Sequence, residues 1–290
     1  MALAVANPWL GRRVLAYAHQ CGAWEAPSST LFALRRALEL GVTGIELDVH
    51  ATADRHLVVC HDSTVDRTTN GHGPIHSMTL AQVRELDNAY WFAPGGDETQ
   101  GLAPEAYPYR GRAPASSDFA VATLGEVLDV LDDHPDVALN LDIKQTGPAV
   151  EPYEELLARE LAARGGTGRV IVASFLDVAT DSFARYAPDI ATSAGTLSTA
   201  MFWRAVHQGE EPAAMAHVAL QVPATRGDLV VVDELLVSAA HEHGMAVHVW
   251  TINDEHDMAR LLDLGVDGVI SDLPTPLVSV VKERGLAYVA

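Results

Sequence analysis

Short runs of apolar, often β-branched residues alternate along the chain with longer stretches whose apolar positions recur at helical spacing. The apolar runs predict strands at Val14–Ala18, Gly44–Val49, Leu57–His61, Val137–Ile143, Val170–Ser174, Ile190–Ala194, Ala219–Val222, Ala246–Trp250 and Gly268–Ser271. The amphipathic stretches predict helices at Thr30–Leu40, Leu80–Leu86, Leu124–Asp132, Tyr153–Ala163, Ala179–Tyr186, Ala200–His207, Asp233–His243, Glu255–Leu264 and Thr275–Arg284. Continuous alternation of strand and helix predicts a parallel sheet.

The number of strand–helix units indicates how this sheet closes. Eight or nine strands without a break favour an α/β fold of the TIM-type (β/α)8 barrel class, as a single domain over residues 1–290. A doubly wound open sheet is the alternative, but no glycine-rich nucleotide motif follows the first strand. Residues 87–119 interrupt the pattern with glycine, proline and aromatic residues, which predicts a loop-rich insertion.

The composition excludes some functions and leaves others open. The 290 residues include 19 basic and 39 acidic side chains, a net charge of −20 that repels a nucleic-acid backbone. Neither a signal peptide nor a membrane span is evident, so we expect a cytoplasmic protein. Its two cysteines, Cys21 and Cys60, are interpreted as small buried side chains rather than as nucleophiles. The oligomeric state is left open.

Carboxylates on two predicted strands indicate a metal site. In the segment "GIELDVH", Glu46 and Asp48 lie two residues apart, so both side chains point to one face of the strand. A shared divalent cation, Mg²⁺ or Ca²⁺, would relieve their repulsion; two solvent-facing acids on an edge strand are the alternative. In "ALNLDIK", Asp142 is a candidate third ligand, and Lys144 would hold a phosphate oxygen or steady the carboxylates. The alternative there is a buried ion pair between strands.

Two histidines end predicted strands close to these acids. His19 and His61 are placed where barrel enzymes carry out their chemistry, and as a pair they indicate acid–base catalysis. Trp250, at another strand end, is a candidate wall of the substrate site, although barrels also bury tryptophan at this level. Asp272 either orients a histidine or caps the last helix.

Several segments, in this order, resemble the glycerophosphodiester phosphodiesterase family of the cytosolic bacterial type: "AHQCGAWEAPSST", "GIELDVHATADRHLVVCHDSTVDRTTNG", "TLGEVL", "LNLDIK", "VWTIN" and "GVDGVISDLP". The resemblance extends from Ala18 to Pro274. It implies a TIM barrel that hydrolyses glycerophosphodiesters to glycerol 3-phosphate and an alcohol with a divalent metal, in lipid metabolism. The partner implied is a small phosphodiester substrate.

The resemblance also implies roles for individual residues. Glu46 and Asp48 match two metal ligands of the family, and Asp142 stands where the family usually has glutamate. His19 and His61 match the paired acid–base histidines. Lys144, in the segment "DIK", matches the family's lysine two residues beyond the third ligand.

The first-strand motif departs from the family pattern without a change of spacing. Gln20 replaces arginine, Cys21 replaces glycine, and Ser28 and Ser29 replace glutamate and asparagine. Gln20 can still donate a hydrogen bond to a substrate, but it has no charge and no bidentate fork for phosphate. Ser28 is a candidate cap of the following helix. Asp142 is one methylene shorter than glutamate, so the metal or the strand must shift or a water must bridge.

These substitutions leave three functions open. The chain is a metal-dependent phosphodiesterase with either the family's substrate or an altered one, a same-fold enzyme of changed reaction such as a cyclic phosphate-forming lyase, or a non-catalytic binding protein. Retention of His19, His61 and the carboxylate pair favours an enzyme, because a binding protein has no physical need for two histidines above two acids.

Overall fold

The computed structural model describes residues 7–10, 14–96, 99–144, 153–165 and 167–286. Within these ranges the strands are β1 (Leu15–His19), β2 (Gly44–Ala51), β3 (Leu57–Val59), β4 (Ala138–Ile143), β5 (Val170–Ala173), β6 (Ala191–Ala194), β7 (Ala219–Pro223), β8 (Thr225–Arg226), β9 (Leu229–Val230), β10 (Ala246–Trp250) and β11 (Gly268–Ser271). The helices are α1 (Leu31–Leu40), α2 (Leu80–Arg84), α3 (Leu124–Leu131), α4 (Tyr153–Arg164), α5 (Asp177–Tyr186), α6 (Thr196–Gln208), α7 (Glu234–Glu242), α8 (Glu255–Asp263) and α9 (Pro274–Glu283).

Eight of the strands in these ranges form a closed parallel barrel, which confirms the predicted fold class. Their order around the barrel is β1, β11, β10, β7, β6, β5, β4 and β2, and β2 pairs again with β1. Helices follow most barrel strands and cover the outside. The predicted helices and strands mostly agree with the observed ones to within a few residues, because the periodicity of apolar residues is a local property of the chain.

The third predicted strand is not a barrel strand. β3 runs antiparallel to β2, with Val49 opposite Val59 and Ala51 opposite Leu57. The chain therefore turns back on an extension of β2 before it reaches His61. The inference that His61 ends a parallel barrel strand was wrong, since an apolar run of this length does not reveal the direction in which a strand pairs.

The first helix shows how local sequence sets the ends of an element. The side chain of Thr30 accepts a hydrogen bond from the backbone N–H of Ala33, so Thr30 is the N-cap and the predicted cap at Ser28 was wrong. An N-cap of this type contributes about 1 kcal/mol. Gly41 follows the helix at φ 85°, the left-handed conformation in which glycine has no steric penalty.

Alternation along β2 determines which side chains face the barrel interior. Ile45, Leu47 and Val49 pack in the main apolar core with the surrounding helices. Because side chains alternate across a strand, Glu46 and Asp48 point the other way, into the barrel. The acids are therefore buried in a protein interior that needs a cation to balance them.

The predicted insertion contains two short 3-10 helices, Pro104–Ala106 and Ser117–Phe119, in its described part. Residues 97 and 98 lie outside the described ranges. The ring of Phe119 stacks against Phe32 of α1 and against Tyr109, and the ring of Tyr109 packs at a tilt against Phe32, which attaches the insertion to the barrel. The extent of the domain, 1–290, stays a prediction. None of the helices in the described ranges is long and apolar enough to cross a membrane.

Candidate active site

A cavity of about 680 Å³ opens where the barrel strands end at their carboxyl termini, the position of active sites in this fold. Most of the residues singled out from the sequence line it: His19, Glu46, His61, Asp142, Lys144 and Trp250. The other two, Gln20 and Asp48, lie directly behind the lining and are buried. The fold thus brings together residues that are far apart in the sequence.

His19 is held by a carboxylate from the other end of the chain. Its Nδ1 lies 2.6 Å from Oδ1 of Asp272, and its Nε2 lies 3.7 Å from Oε2 of Glu46. Burial lowers the pKa of His19, but Glu46 and the hydrogen bond with Asp272 outweigh burial and raise it to about 9. Asp272 therefore orients the histidine, and the side chain of Asp272 does not cap the last helix.

His61 has a carboxylate partner of the same kind. Its Nδ1 lies 2.7 Å from Oδ1 of Asp62, and the guanidinium of Arg67 donates to the other oxygen of Asp62 at 2.7 Å. Burial raises the pKa of Asp62, but the bonds from His61 and Arg67 prevail and hold it well below its usual range. His50, which is buried and was not a candidate from the sequence, lies with its Nε2 3.3 Å from the backbone carbonyl of His61.

The two histidine rings face each other across the charged end of the cavity. Their centroids are 6.3 Å apart and their planes are nearly perpendicular, at 81°. Each ring uses Nδ1 to bind an aspartate, so Nε2 is the nitrogen left for chemistry in each. Two imidazoles oriented in this way can serve one reacting group, one accepting a proton and the other donating one.

Strand register brings the three acids to neighbouring positions. Asp48 on β2 is opposite Asp142 on β4, and Glu46 is opposite His19 on β1. Burial, and then the charge of Asp48, raise the pKa of Glu46 to about 8. Burial likewise raises the pKa of Asp142. Repulsion between like charges in a low-dielectric interior favours the neutral form of a carboxyl group. The raised pKa values of Glu46 and Asp142 therefore indicate that this cluster of acids lacks positive charge.

Lys144 supplies part of that positive charge. Its Nζ lies 2.7 Å from Oδ1 of Asp48 and 2.7 Å from Oδ2 of Asp142. Burial lowers the pKa of Lys144, but the two aspartates prevail and raise it above its usual value. These contacts agree with one of the two roles predicted for this lysine, steadying the carboxylates, and the other, binding a phosphate oxygen, stays a prediction.

The donor chemistry fits a hard divalent cation. Among the described residues, Oδ2 of Asp48 and Oδ1 of Asp142 are buried and accept no hydrogen bond, and Lys144 is the one lysine beside the three carboxylates. In the arrangement described, however, no three His, Cys, Asp or Glu side chains lie close enough together to hold a metal ion. The joint ligand set of Glu46, Asp48 and Asp142 therefore stays a prediction.

The divergent loop after β1 lies against this acid cluster. Gln20 and Cys21 have positive φ angles of 48° and 66°, a conformation that is unusual for residues other than glycine. The backbone N–H of Gln20 donates to Glu46 at 3.2 Å, and its amide nitrogen lies 3.4 Å from Nε2 of His19. The amide oxygen of Gln20 is buried and has no hydrogen-bond partner among the described residues. The loop thus presents an uncharged amide beside His19.

Both cysteines are buried, as predicted. Burial, followed by the charge of Glu46, raises the pKa of the Cys21 thiol, and burial raises that of Cys60 to about 12. A thiol with such a pKa stays protonated and is a poor nucleophile at neutral pH.

Two further residues belong to the site, and neither was among the candidates from the sequence. Phe175, which follows β5, lies edge-on to Trp250 with ring centroids 5.4 Å apart, and the ammonium of Lys144 is 5.6 Å from its ring. Asn253 donates to Oδ2 of Asp272 at 2.8 Å and so fixes the carboxylate that orients His19. A signal for Asn253 existed, since it ends the "VWTIN" segment.

Comparison with known proteins agrees with this geometry. The model of the glycerophosphoryl diester phosphodiesterase family matches residues 19–275. A glycerophosphodiester phosphodiesterase of Caldanaerobacter subterraneus subsp. tengcongensis is 32% identical over 94% of this chain and 100% of its own length. One from Bacillus subtilis is 30% identical over 90% of this chain and 84% of its own.

Solved structures resemble the fold over nearly the whole chain. A glycerophosphoryl diester phosphodiesterase domain from Mycobacterium tuberculosis superimposes with a TM-score of 0.76 at 22% identity, covering 92% of this chain and 98% of that one. A phosphodiesterase of Oleispira antarctica, in complex with the product sn-glycerol-3-phosphate, has a TM-score of 0.67 at 25% identity and covers 92% of this chain and 96% of its own.

Proposed function

Since the chain belongs to the glycerophosphoryl diester phosphodiesterase family, and is thereby a phosphoric diester hydrolase, we propose that it hydrolyses glycerophosphodiesters to glycerol 3-phosphate and an alcohol. The observation on which this rests is the pair of aspartate-bound histidines beside three buried carboxylates. The product found in the Oleispira antarctica relative supports the same substrate class.

The two histidines perform the proton transfers. The attacking oxygen belongs to water or to the neighbouring glycerol hydroxyl; in the second case a cyclic phosphate forms, which water then opens to glycerol 3-phosphate. The attacking oxygen forms a bond to phosphorus while Nε2 of one ring takes its proton. The bond between phosphorus and the alcohol oxygen breaks, and the other ring gives that oxygen a proton. Asp272 and Asp62 hold the rings of His19 and His61 with Nδ1 engaged, so that Nε2 is available in each.

Glu46, Asp48 and Asp142 would hold a divalent cation at the charged end of the cavity. Oxygen donors alone favour Mg²⁺ or Ca²⁺ over softer metals. Such an ion supplies charge stabilisation to the phosphate oxygens of the substrate. Lys144, beside two of these acids, would bind a phosphate oxygen as a point charge when a cation takes over the carboxylates.

Gln20 and Trp250 position the substrate in this proposal. The amide of Gln20, next to His19, donates a neutral hydrogen bond where the family pattern has a charged arginine. Trp250 and Phe175 stand beside the charged end of the cavity and form an aromatic wall for the substrate. A cytoplasmic location stays a prediction.

Hydrolysis of glycerophosphocholine and bis(p-nitrophenyl) phosphate with Mg²⁺, Ca²⁺ or Mn²⁺ tests this function. We expect His19→Ala and His61→Ala each to lower kcat by about a hundredfold or more. His241→Ala is the matched control, because His241 also pairs with a buried aspartate, 2.9 Å away, but does not line the cavity. Absence of turnover with every metal, together with no metal binding by calorimetry, would refute the proposal.

A further inference from the structure

The cavity is divided into two chemically different halves. The strands β1, β2 and β4 and the segment after β3 contribute the charged side chains to one half. The other half is walled by β5, β6, β7 and β10, by α6 and by the β8–β9 hairpin. Phe175 stands at the boundary, since it contacts both Lys144 and Trp250.

The large side chains of the second half are mostly apolar: Phe175, Trp203, Val222, Pro223, Leu229 and Trp250. Smaller polar side chains, among them Ser193 and Thr199, and the amide of Gln221 lie between them. The indole nitrogen of Trp203 donates to the carbonyl of Val231 at 3.0 Å, so the polar atom of that side chain is engaged with the hairpin. Arg226 is the charged side chain that the described part of the hairpin adds to the lining.

The same segments expose large apolar side chains to solvent. Leu197 and Met201 of α6, Leu229 and Val230 of the hairpin, and Phe175 after β5 are between 45% and 65% exposed. Apolar residues concentrated in this way mark a place where a hydrophobic ligand or partner is bound. Two of them, Phe175 and Leu229, also line the cavity, so the exposed apolar surface reaches its apolar half.

A substrate with only small polar groups leaves this half without a ligand. The cavity of about 680 Å³ has the size that proteins use for drug-sized ligands, which is larger than a glycerol phosphate group. The phosphate of any substrate is fixed at the histidines and carboxylates. The group that extends from that phosphate into the second half must therefore be apolar to gain free energy from burial there.

We propose that the substrate is a phosphodiester with a hydrocarbon chain on one of its two alcohols, and that the chain lies between α6 and the β8–β9 hairpin. This inference rests on the proposed function and names the substrate class for it. It also gives a physical reason for the neutral Gln20: with a chain anchored in the apolar half, less of the binding energy has to come from a charged contact to phosphate.

Two series of monomeric substrates test the inference, each below its critical micelle concentration. In one, the glycerol phosphate is esterified with alcohols from ethyl to octyl, so the chain is on the alcohol. In the other, glycerophosphocholine bears acyl chains of the same lengths on its glycerol. We expect kcat/KM in one series to rise by at least about a hundredfold from the shortest to the longest chain, equivalent to about 2.7 kcal/mol. The series in which kcat/KM rises with chain length identifies which of the two alcohols bears the chain in the substrate.

Variants of the apolar wall locate the chain. Leu229→Asp should reduce the ratio of octyl to ethyl kcat/KM by about tenfold or more, because it places a charge where the chain lies. Leu235→Asp is the matched control: Leu235 is 51% exposed, against 45% for Leu229, but it does not line the cavity. Ala200→Trp, on the cavity face of α6, should shift the preferred chain to a shorter length.

The outcomes separate this inference from the proposed function. Turnover that is independent of chain length in both series would overturn the inference and leave the function intact. Faster hydrolysis of unacylated glycerophosphocholine than of every alkyl or acyl ester would also overturn the inference. In that case the aromatic side chains would bind the quaternary ammonium group and not a hydrocarbon chain. No turnover of any ester would count against the function itself.

Discussion

The substitution Asp272→Asn tests whether His19 is oriented by a charge. Asn253 donates to Oδ2 of Asp272 at 2.8 Å, so an asparagine would place its carbonyl oxygen there and turn its NH₂ group toward Nδ1 of His19. The neutral ring would then have its proton on Nε2, the nitrogen that the reaction needs free. The side chain would keep its size, and the loss would be electrostatic and tautomeric.

The expected magnitude follows from the charges around the ring. Burial opposes protonation of His19, yet its pKa is raised from 6.5 to about 9, which favours the imidazolium by about 3 kcal/mol. Glu46 and Asp272 are the main sources of this stabilisation of the imidazolium. Loss of the Asp272 charge should therefore remove about half of the 3 kcal/mol, which corresponds to roughly a tenfold lower rate. The wrong tautomer should add a further factor of about ten, giving about a hundredfold in kcat.

Steady-state kinetics and urea unfolding together decide the outcome. A positioning role predicts a lower kcat with KM nearly unchanged, because the substrate contacts are kept. Asp267→Asn is the control: Asp267 also binds a histidine, His241, at 2.9 Å, but outside the cavity. Asp267→Asn should lower stability and spare kcat. An Asp272→Asn enzyme with unchanged kcat, or equal kcat losses in both variants, would refute the reasoning.

Two other predictions concern the buried His248 on β10 and the divergent loop after β1. Burial lowers the pKa of His248 to about 4, so the native ring stays neutral where the unfolded chain binds a proton. Its contribution to the free energy of unfolding is therefore complete above pH 6.5 and falls by about 3 kcal/mol as the pH drops to 4. In urea titrations, the free energy of unfolding of His248→Leu should depend less steeply on pH than that of the unsubstituted protein. The same pH dependence in both proteins would contradict the prediction. The double variant Gln20→Arg with Ser28→Glu restores the charged pattern of the family, and should raise kcat/KM for glycerophosphocholine by about tenfold through a charge-assisted hydrogen bond. An unchanged kcat/KM in that assay would show that the loop does not set substrate choice.

The placement of single residues on strands was predicted from the sequence more reliably than their partners. Glu46 and Asp48 could be placed on one face because alternation along a strand is a rule of local geometry. That Lys144 would lie between Asp48 and Asp142 depended on the register of two strands almost a hundred residues apart, and spacing does not encode register. The antiparallel course of β3 was missed for a similar reason, since an apolar run shows burial and not direction.

The sequence by itself determined the alternation of strands and helices, the barrel class, and the residues that form the charged half of the site. These follow from periodicity, strand alternation and motif order, all of which act over short distances along the chain. Only the tertiary structure decided that Asp272 binds His19 across 253 residues, through the pairing of β1 with β11 that closes the barrel. It alone also revealed the apolar half of the cavity, because that surface is assembled from segments that share no local pattern and meet only when the barrel closes.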